Sequence, residues 1–265
     1  MKRIHFSTPL RVVATSSLAA SLALLPVAGS VFAVDGTTSP TTTTTTTQTK
    51  DQTTSTTLTD TQKARLQLII SKGDAEITRR LTSLKTLTDR INGAIKLTAA
   101  DKTALTNEVN SAITGLTALK TQLDSETTLT GAKTDVENIY SQYRVYALLG
   151  PKIGLIRTAD DQQAVEAKLQ TLAGKLQTRI TTAKQAGKDV TALQTQLDDL
   201  TAKITASLAI SSKVESTVIT LEPTDYNSDH TVLSGYNDQL KTARTDNQAA
   251  MADAKAIVAG LKTLS

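Results

Sequence analysis

Residues 59–95 read TDTQKARLQLIISKGDAEITRRLTSLKTLTDRINGAI, and this stretch decides the fold class. Thr59 is followed three residues later by Gln62, a pair typical of a capping box at a helix N-terminus. Large aliphatic residues then recur at spacings of three, four and seven, as on one face of an α-helix: Leu66, Ile70, Ile77, Leu84, Leu87, Ile91 and Ile95. The pattern predicts one amphipathic helix that ends at about Lys96.

The next stretch repeats this arrangement. Thr98 with Asp101 forms a second start signal, and aliphatic residues continue at alternating spacings of four and three as far as Leu123. We expect this second helix to end near Asp124. Because the link between the two helices is short, they should lie antiparallel.

Gly150 and Pro151 interrupt the third helical stretch, which begins near Thr130. Proline has no amide proton to donate, and its ring opposes the carbonyl four residues back. We therefore expect a break at Gly150 and Pro151, with two helices meeting at an angle and Pro151 in the first turn of the second helix. Gly187 lies where a C-terminal glycine cap of that second helix belongs.

Further helical stretches begin at Asp189 and near Asp229, and Pro223 ends whatever lies between them. No segment of comparable length shows the alternation of apolar and polar residues that is typical of a β-strand. Sustained three-four spacing and small core residues, among them Gly73 and Ala250, favour close contacts of the coiled-coil type. The predicted fold is all-α, an elongated antiparallel helical bundle of five or six helices over residues 59–265.

The composition excludes several functional classes. The 265 residues include no Cys and no Trp. This excludes a disulfide scaffold, a Cys-ligated zinc or iron-sulfur site, a Cys nucleophile, and any family that depends on Trp to bind carbohydrate or choline. We expect no cofactor.

The N-terminal residues have the order typical of a secretory leader. Lys2, Arg3 and Arg11 precede an apolar run, and small residues follow it up to Ala33. We expect a signal peptide over residues 1–33 and therefore an exported protein, secreted or associated with the cell surface. The alternative is an uncleaved leader that anchors the protein, since the apolar run is almost long enough to span a bilayer.

Residues 34–58 are predicted to form a disordered Thr-rich linker. Thr occupies 16 of the 25 positions from 37 to 61, which is too polar a composition to build a core. The linker is either a bare spacer or a stalk that carries O-linked sugar. Removing the three basic leader residues lowers the net charge from +4 to +1. The charge of the remaining chain therefore gives no reason to expect binding to nucleic acid or to anionic lipid.

Three segments of the bundle resemble a known group of proteins. They are residues 140–152, which read YSQYRVYALLGPK, residues 159–161, which read ADD, and residues 187–190, which read GKDV. The chain is similar in these segments to uncharacterised secreted helical-bundle proteins of ultra-small bacteria from candidate phyla. The resemblance implies an exported helical bundle. It implies no catalytic residue, because that group has no assigned activity.

One motif has the spacing of a calcium loop. Asp225, Asn227 and Asp229 provide oxygens at the first, third and fifth positions of an EF-hand-type loop. The motif then fails, since His230 replaces the turn glycine and Tyr236 replaces the closing carboxylate. We expect no metal site, and an Asx-rich turn in which Ser228 or Asp229 caps the last helix.

The remaining titratable groups suggest no catalytic constellation. His230 is the only imidazole after the leader, and no glycine-flanked nucleophile accompanies any Ser. The adjacent carboxylates Asp160-Asp161 and Asp198-Asp199 diverge by about 100 degrees on a helix, so both pairs are expected on solvated faces. Lys152 and Arg157 are expected to be ordinary surface charges beside the kink. We expect no catalytic residue, and Asn247 is expected either to fix register or oligomeric state or to lie at the margin of the last seam.

The predicted partner surface lies just before the break. Tyr140, Arg144 and Leu148 are spaced four apart, so on a continuous helix they share one line. Tyr and Arg are enriched at interface hot spots. The alternative is that this line is the second edge of a wide buried face.

Three functional classes are compatible with these observations. The favoured class is a noncatalytic exported scaffold or adhesion module that binds a protein partner or its own copy, with no small-molecule substrate. A membrane-active helical protein is the alternative, although its polar faces would be Thr-rich rather than Lys-rich. An enzyme built on the bundle is the third class.

Overall fold

The computed structural model describes residues 57–264. All regular secondary structure in this part of the chain is helical, which confirms the predicted all-α bundle. The predicted signal peptide lies outside the described residues, as does all of the predicted linker except its last two residues.

Seven α-helices and one π-helical turn make up the described region. They are α1 (Asp60–Gly93), α2 (Ala99–Asp124), α3 (Leu129–Ser141), the π-helical turn (Val145–Leu149), α4 (Gly150–Gln185), α5 (Thr191–Val218), α6 (Pro223–Ser228) and α7 (Tyr236–Thr263). Among the described residues, no helix is long and apolar enough to cross a lipid bilayer.

Two hydrophobic clusters hold these helices together. Helices α1, α2 and α3 pack against one another, and α4, α5 and α7 form a second group. The first cluster fills the α1–α3 group and extends to Ile156 at the start of α4 and Val218 at the end of α5. The second cluster lies among the rest of α4, α5 and α7 and includes Leu176, Ile204 and Ile257.

Threonine side chains begin the first three helices. Thr59 and Gln62 form the predicted capping box, in which the Thr59 N–H donates to Gln62 Oε1 at 2.8 Å. Thr98 accepts from the Asp101 N–H at 3.1 Å, as predicted. Thr128 accepts from the Gly131 N–H at 3.0 Å. The helix starts are therefore local features that the sequence alone specifies.

The interruption of the helical path lies at residues 142–144, before the predicted position at Gly150 and Pro151, whereas Pro151 lies in the first turn of α4 as predicted. The chain leaves the helical path at residues 142–144, resumes it at Val145 in the π-helical turn, and passes through Gly150 into α4. Gly150 has helical dihedral angles, φ −61° and ψ −53°. The Gly150 N–H donates to the Val145 carbonyl, five residues back as in a π-helix, and Pro151 follows in the first turn of α4.

The loop residues also differ from prediction in two places. Because α1 ends at Gly93, Ile95 lies outside the helix and is 97% exposed, so its predicted core position is wrong. The last helix begins at Tyr236, after Gly235 with φ 80°, and not near Asp229. Gly187 has φ 76° directly after α4, the left-handed conformation expected of a glycine cap.

Candidate functional site

The connection between α3 and α4 brings three tyrosines against the neighbouring helices. Tyr143 packs on Gly115 of α2, where a Cβ would overlap its hydroxyl, so a larger residue there would require the tyrosine side chain to move. Burial raises the pKa of Tyr143. Tyr140 and Tyr146 lie instead against Arg80 of α1. Tyr143 therefore contacts α2, whereas Tyr140 and Tyr146 contact a buried cation on α1.

Arg80 holds the two outer tyrosines in place. It is 5% exposed, and its guanidinium carbon lies 4.7 Å from the Tyr140 ring centroid and 5.2 Å from the Tyr146 ring centroid. Glu76, one turn earlier on α1, pairs with the same guanidinium group. Burial lowers the pKa of Arg80 from its ordinary value. Stacking and ion pairing offset part of the cost of removing this cation from water.

The outer faces of the two tyrosines remain accessible. Tyr140 is 45% and Tyr146 is 44% exposed. The guanidinium carbon of Arg79 lies 5.5 Å from the Tyr146 ring centroid, and the Ser83 hydroxyl lies 3.0 Å from the Tyr146 hydroxyl. We call Arg79, Arg80, Ser83, Tyr140 and Tyr146 the tyrosine–arginine surface.

The predicted partner surface is corrected by these contacts. Leu148 is 1% exposed and belongs to the core, so it cannot contact a partner. Arg144 donates from Nε to Asn227 Oδ1 at 2.7 Å and stacks over Tyr226 at 5.3 Å. Of the predicted line, only Tyr140 lies on the tyrosine–arginine surface. The four-residue spacing fails because residues 142–144 interrupt the helix.

A cleft of about 380 Å³ opens beside the same connection. Its lining residues come from α2, the α3–α4 connection, the start of α4, and the α5–α6 connection: Ala104, Glu108, Ser111, Ala112, Gln142, Tyr143, Arg144, Val145, Leu148, Leu149, Lys152, Ile219, Glu222 and Pro223. This volume falls within the range of small-molecule pockets.

A buried ion pair forms part of the cleft wall. Lys152 is 1% exposed, and its Nζ lies 2.7 Å from Glu108 Oε2 and donates to the Leu221 carbonyl at 2.9 Å. The pKa of Glu108 is raised above its ordinary value, chiefly by burial. The nearby charge of Glu222 also raises it, and the ion pair with Lys152 opposes the rise. The predicted surface position of Lys152 is therefore wrong, whereas Arg157 is exposed as expected.

A fully buried carboxyl lies between the two hydrophobic clusters. Glu166 of α4 accepts hydrogen bonds from Ser207, from Ser211 at 2.9 Å, and from Asn247 Nδ2 at 3.2 Å. Asn247 also donates to Gln162 Oε1 at 2.9 Å. We call Glu166, Ser207, Ser211 and Asn247 the polar layer; each is at most 3% exposed. This location favours the register role for Asn247 over a marginal one.

The two pairs of adjacent carboxylates differ in solvent exposure, although both pairs were predicted to be solvated. Asp198 and Asp199 are exposed, as expected. Asp160 is 2% exposed and accepts the Thr98 N–H at 2.8 Å, so its predicted solvated position is wrong. Burial raises the pKa of Asp160 to about 6, and the charges of Asp101 and Glu215 act in the same direction.

Of the residues with calcium-loop spacing, Asp225 and Asp229 serve local turns, and Asn227 links α6 to the α3–α4 connection. Asp225 accepts the Glu222 N–H at 2.8 Å, Asn227 bridges Arg144 and the Ser141 carbonyl, and Asp229 accepts the Thr231 N–H at 2.8 Å. Neither Ser228 nor Asp229 caps the last helix, contrary to prediction. Within residues 57–264, no group of three or more His, Cys, Asp or Glu side chains is arranged to hold a metal ion.

No protein-family model, curated protein sequence or solved structure matches the chain. The resemblance to secreted proteins of ultra-small bacteria therefore stays a prediction.

Proposed function

We propose that residues 57–264 form a noncatalytic interaction module of an exported, cell-surface protein, and that the tyrosine–arginine surface contacts its protein partner. The observation that carries this proposal is the pair of half-exposed tyrosines stacked on one buried arginine. The sequence of residues 1–33 supports export, and the Thr-rich stretch after it supports a spacer between the module and the envelope.

The arrangement suits a contact surface for an energetic reason. A side chain that is immobilised only on binding costs conformational entropy, and a side chain already held in place costs less. Arg80 holds both rings through its guanidinium group, and Ser83 lies within hydrogen-bond distance of the Tyr146 hydroxyl. Each ring nevertheless keeps almost half of its surface accessible. Large, preordered Tyr and Arg side chains are the residue types that dominate binding energy at protein interfaces.

Site-directed photocrosslinking tests the proposal. A benzoylphenylalanine would replace Tyr146 in one variant and Thr245, which is exposed on α7, in the control. Each variant would be produced in the cells that make the protein and irradiated. We expect a discrete adduct, with another protein or with a second copy, from position 146 only. Equal adducts from both positions, or none from position 146, would contradict the proposal.

An arginine pair provides an independent readout. Arg79 and Arg65 are both exposed on α1, but only Arg79 reaches Tyr146. Arg79→Ala should reduce the yield of the crosslinked adduct at position 146, whereas Arg65→Ala should leave it unchanged. Both variants should keep the same melting temperature as the parent, because substitutions of exposed residues have small effects on stability.

A further inference from the structure

A second, smaller cleft adjoins the tyrosine–arginine surface. It has a volume of about 260 Å³ and lies between the C-terminal part of α1 and the π-helical turn. Its accessible lining includes Ser83, Thr86 and Arg90 of α1 and Tyr146 of the π-helical turn. Small-molecule pockets usually exceed about 300 Å³. This cleft therefore has room for one or two side chains of a protein rather than for a whole small-molecule ligand.

The second cleft lies along a line of α1 residues that begins at the tyrosine–arginine surface. Arg79, Ser83, Thr86 and Arg90 are spaced by four, three and four residues, so they share one side of α1. At 1.5 Å per residue, the Cα atoms of the two arginines are about 16 Å apart. Arg79 reaches the Tyr146 ring, and Arg90 lines the cleft. We call Arg79, Ser83, Thr86, Arg90 and Tyr146 the arginine groove.

The arginine groove has more positive than negative charge. Glu76 is the single carboxylate partner of both Arg79 and Arg80, so these three groups retain one positive charge. Arg90 adds a second, because its guanidinium group has no ion pair or hydrogen bond within residues 57–264. None of the described residues that line the second cleft is acidic. Asp89, the acidic residue nearest to Arg90 along α1, lies about 100 degrees around the helix from it.

The two arginines of the groove keep hydrogen-bond donors free for a ligand. Arg79 directs one amino group to Glu76, and all five N–H groups of the Arg90 guanidinium remain available. A guanidinium group binds a carboxylate through two parallel hydrogen bonds. Between the two arginines, the half-exposed Tyr146 ring offers an apolar face with a polar end. The groove therefore suits a chain that carries carboxylates on either side of a short uncharged stretch.

We propose that the arginine groove binds an extended acidic segment of the partner protein, with one carboxylate on Arg79 and a second on Arg90. Side chains four residues apart in an extended segment lie on the same side and about 13 Å apart, a distance that two flexible arginine side chains can match. The inference rests on the proposed interaction function, because it uses the same surface, and it adds the chemistry of the partner. A nucleic acid fits less well, since its affinity comes from neutralising many phosphates.

Nuclear magnetic resonance titration of the isotope-labelled full chain tests the charge requirement. The probe is the end-blocked peptide Gly-Asp-Ser-Ala-Ser-Asp-Gly, and the matched control peptide has Asn in place of both Asp. At low salt, where exposed charges are least screened, we expect millimolar Asp peptide to shift the amide signals of Ser83, Thr86 and Tyr146. The Asn peptide should leave these signals unchanged. Equal shifts with both peptides, or none with the Asp peptide, would overturn the inference.

Charge reversal at two exposed arginines separates the arginine groove from the rest of the surface. Arg90→Glu should weaken the dissociation constant of the Asp peptide about tenfold, because it replaces an attraction by a repulsion. Arg244→Glu, on the exposed face of α7, makes the same change in net charge and should alter the constant less than about twofold. Arg90→Gln keeps an uncharged polar side chain and should weaken binding about threefold. Equal effects at positions 90 and 244 would show that binding depends on net charge alone and would overturn the inference.

The crosslinking experiment distinguishes this inference from the proposed function. Mass spectrometry of the adduct formed at position 146 should find two Asp or Glu residues within about six positions of the crosslinked residue of the partner. An adduct on a segment without acidic residues would contradict the inference and leave the interaction function intact. Binding of the Asp peptide without any adduct in cells would contradict the interaction function and leave the chemistry of the groove intact.

Discussion

The ammonium nitrogen of Lys152 lies 2.7 Å from a carboxylate oxygen of Glu108, and the lysine side chain is only 1% exposed, against 25% for the glutamate. The two partners therefore depend unequally on one another. Glu108 keeps some contact with solvent if the pair is broken, whereas Lys152 does not. This asymmetry leads to the first prediction.

Glu108→Gln should destabilise the fold by about 3 kcal/mol, because it leaves a buried ammonium group without its counter-ion. Adding Lys152→Met to that variant should recover much of the loss, since the buried charge is then removed. Urea unfolding measures both effects. Glu137→Gln, an exposed position on α3, is the control and should change the free energy of unfolding by less than about 0.5 kcal/mol. A double variant that is less stable than Glu108→Gln would contradict this account.

Asp160→Asn should stabilise the protein at neutral pH. Burial raises the pKa of Asp160 from 3.8 to about 6, so the protonated form is favoured in the folded state. The corresponding stability is fully present below pH 4 and is lost as the pH rises through 6. At pH 7.5 the variant should gain roughly 2 to 3 kcal/mol, and at pH 4 almost nothing.

Unfolding of the parent and the Asp160→Asn variant at these two pH values checks the prediction. Asn keeps an oxygen for the Thr98 N–H, so the hydrogen bond seen at 2.8 Å is not removed. Asp161→Asn, at the neighbouring and more exposed carboxylate, is the matched control and should change the free energy of unfolding by less than about 0.5 kcal/mol. A gain from Asp160→Asn that is the same at pH 4 and pH 7.5 would show that its charge is not the cause.

Substituting alanine for each of two glycines should change the stability of the fold in opposite directions. Gly187 has φ 76°, which alanine adopts at a cost, so Gly187→Ala should lower stability by about 1 kcal/mol. Gly174 lies inside α4, and a Cβ there would meet no atom within 4 Å. Gly174→Ala should therefore raise stability by about 0.5 to 1 kcal/mol. Melting temperatures of the two variants give both signs, and two shifts in the same direction would refute one of the arguments.

Removing one member of the polar layer should cost more than removing its centre and partners together. Asn247→Ala deprives Glu166 of a donor and should cost about 1 to 3 kcal/mol. A combined Glu166→Met, Ser207→Ala, Ser211→Ala and Asn247→Leu variant replaces the layer with hydrocarbon and should be more stable than Asn247→Ala alone. Urea unfolding compares them. A combined variant that is less stable would show that the layer contributes net stability.

Local patterns were readable from the sequence, and contacts across the fold were not. The caps at Thr59 and Thr98 depend on residues three positions away, so the sequence predicted both correctly. The burial of Lys152 depends on Glu108 of α2 and on the carbonyl of Leu221, which no local pattern reveals.

The predicted line of Tyr140, Arg144 and Leu148 assumed an uninterrupted helix, which residues 142–144 do not form. Pro151 correctly indicated that the helix is interrupted nearby. The position of a proline in the sequence does not specify which residues form that interruption. The tyrosine–arginine surface was missed because its arginines lie on α1, far along the chain from its tyrosines.

The polar layer has a mechanical consequence. It lies on α4, α5 and α7 between the two hydrophobic clusters. If a pulling force moved α5 along α4 by one helical turn, one of the two serines would take the place of the other, and Glu166 would lose one of its two serine donors. Pure hydrocarbon seams can slide between equivalent registers, but this one has a single position in which both serines donate to the carboxyl. The layer therefore opposes shear between these helices.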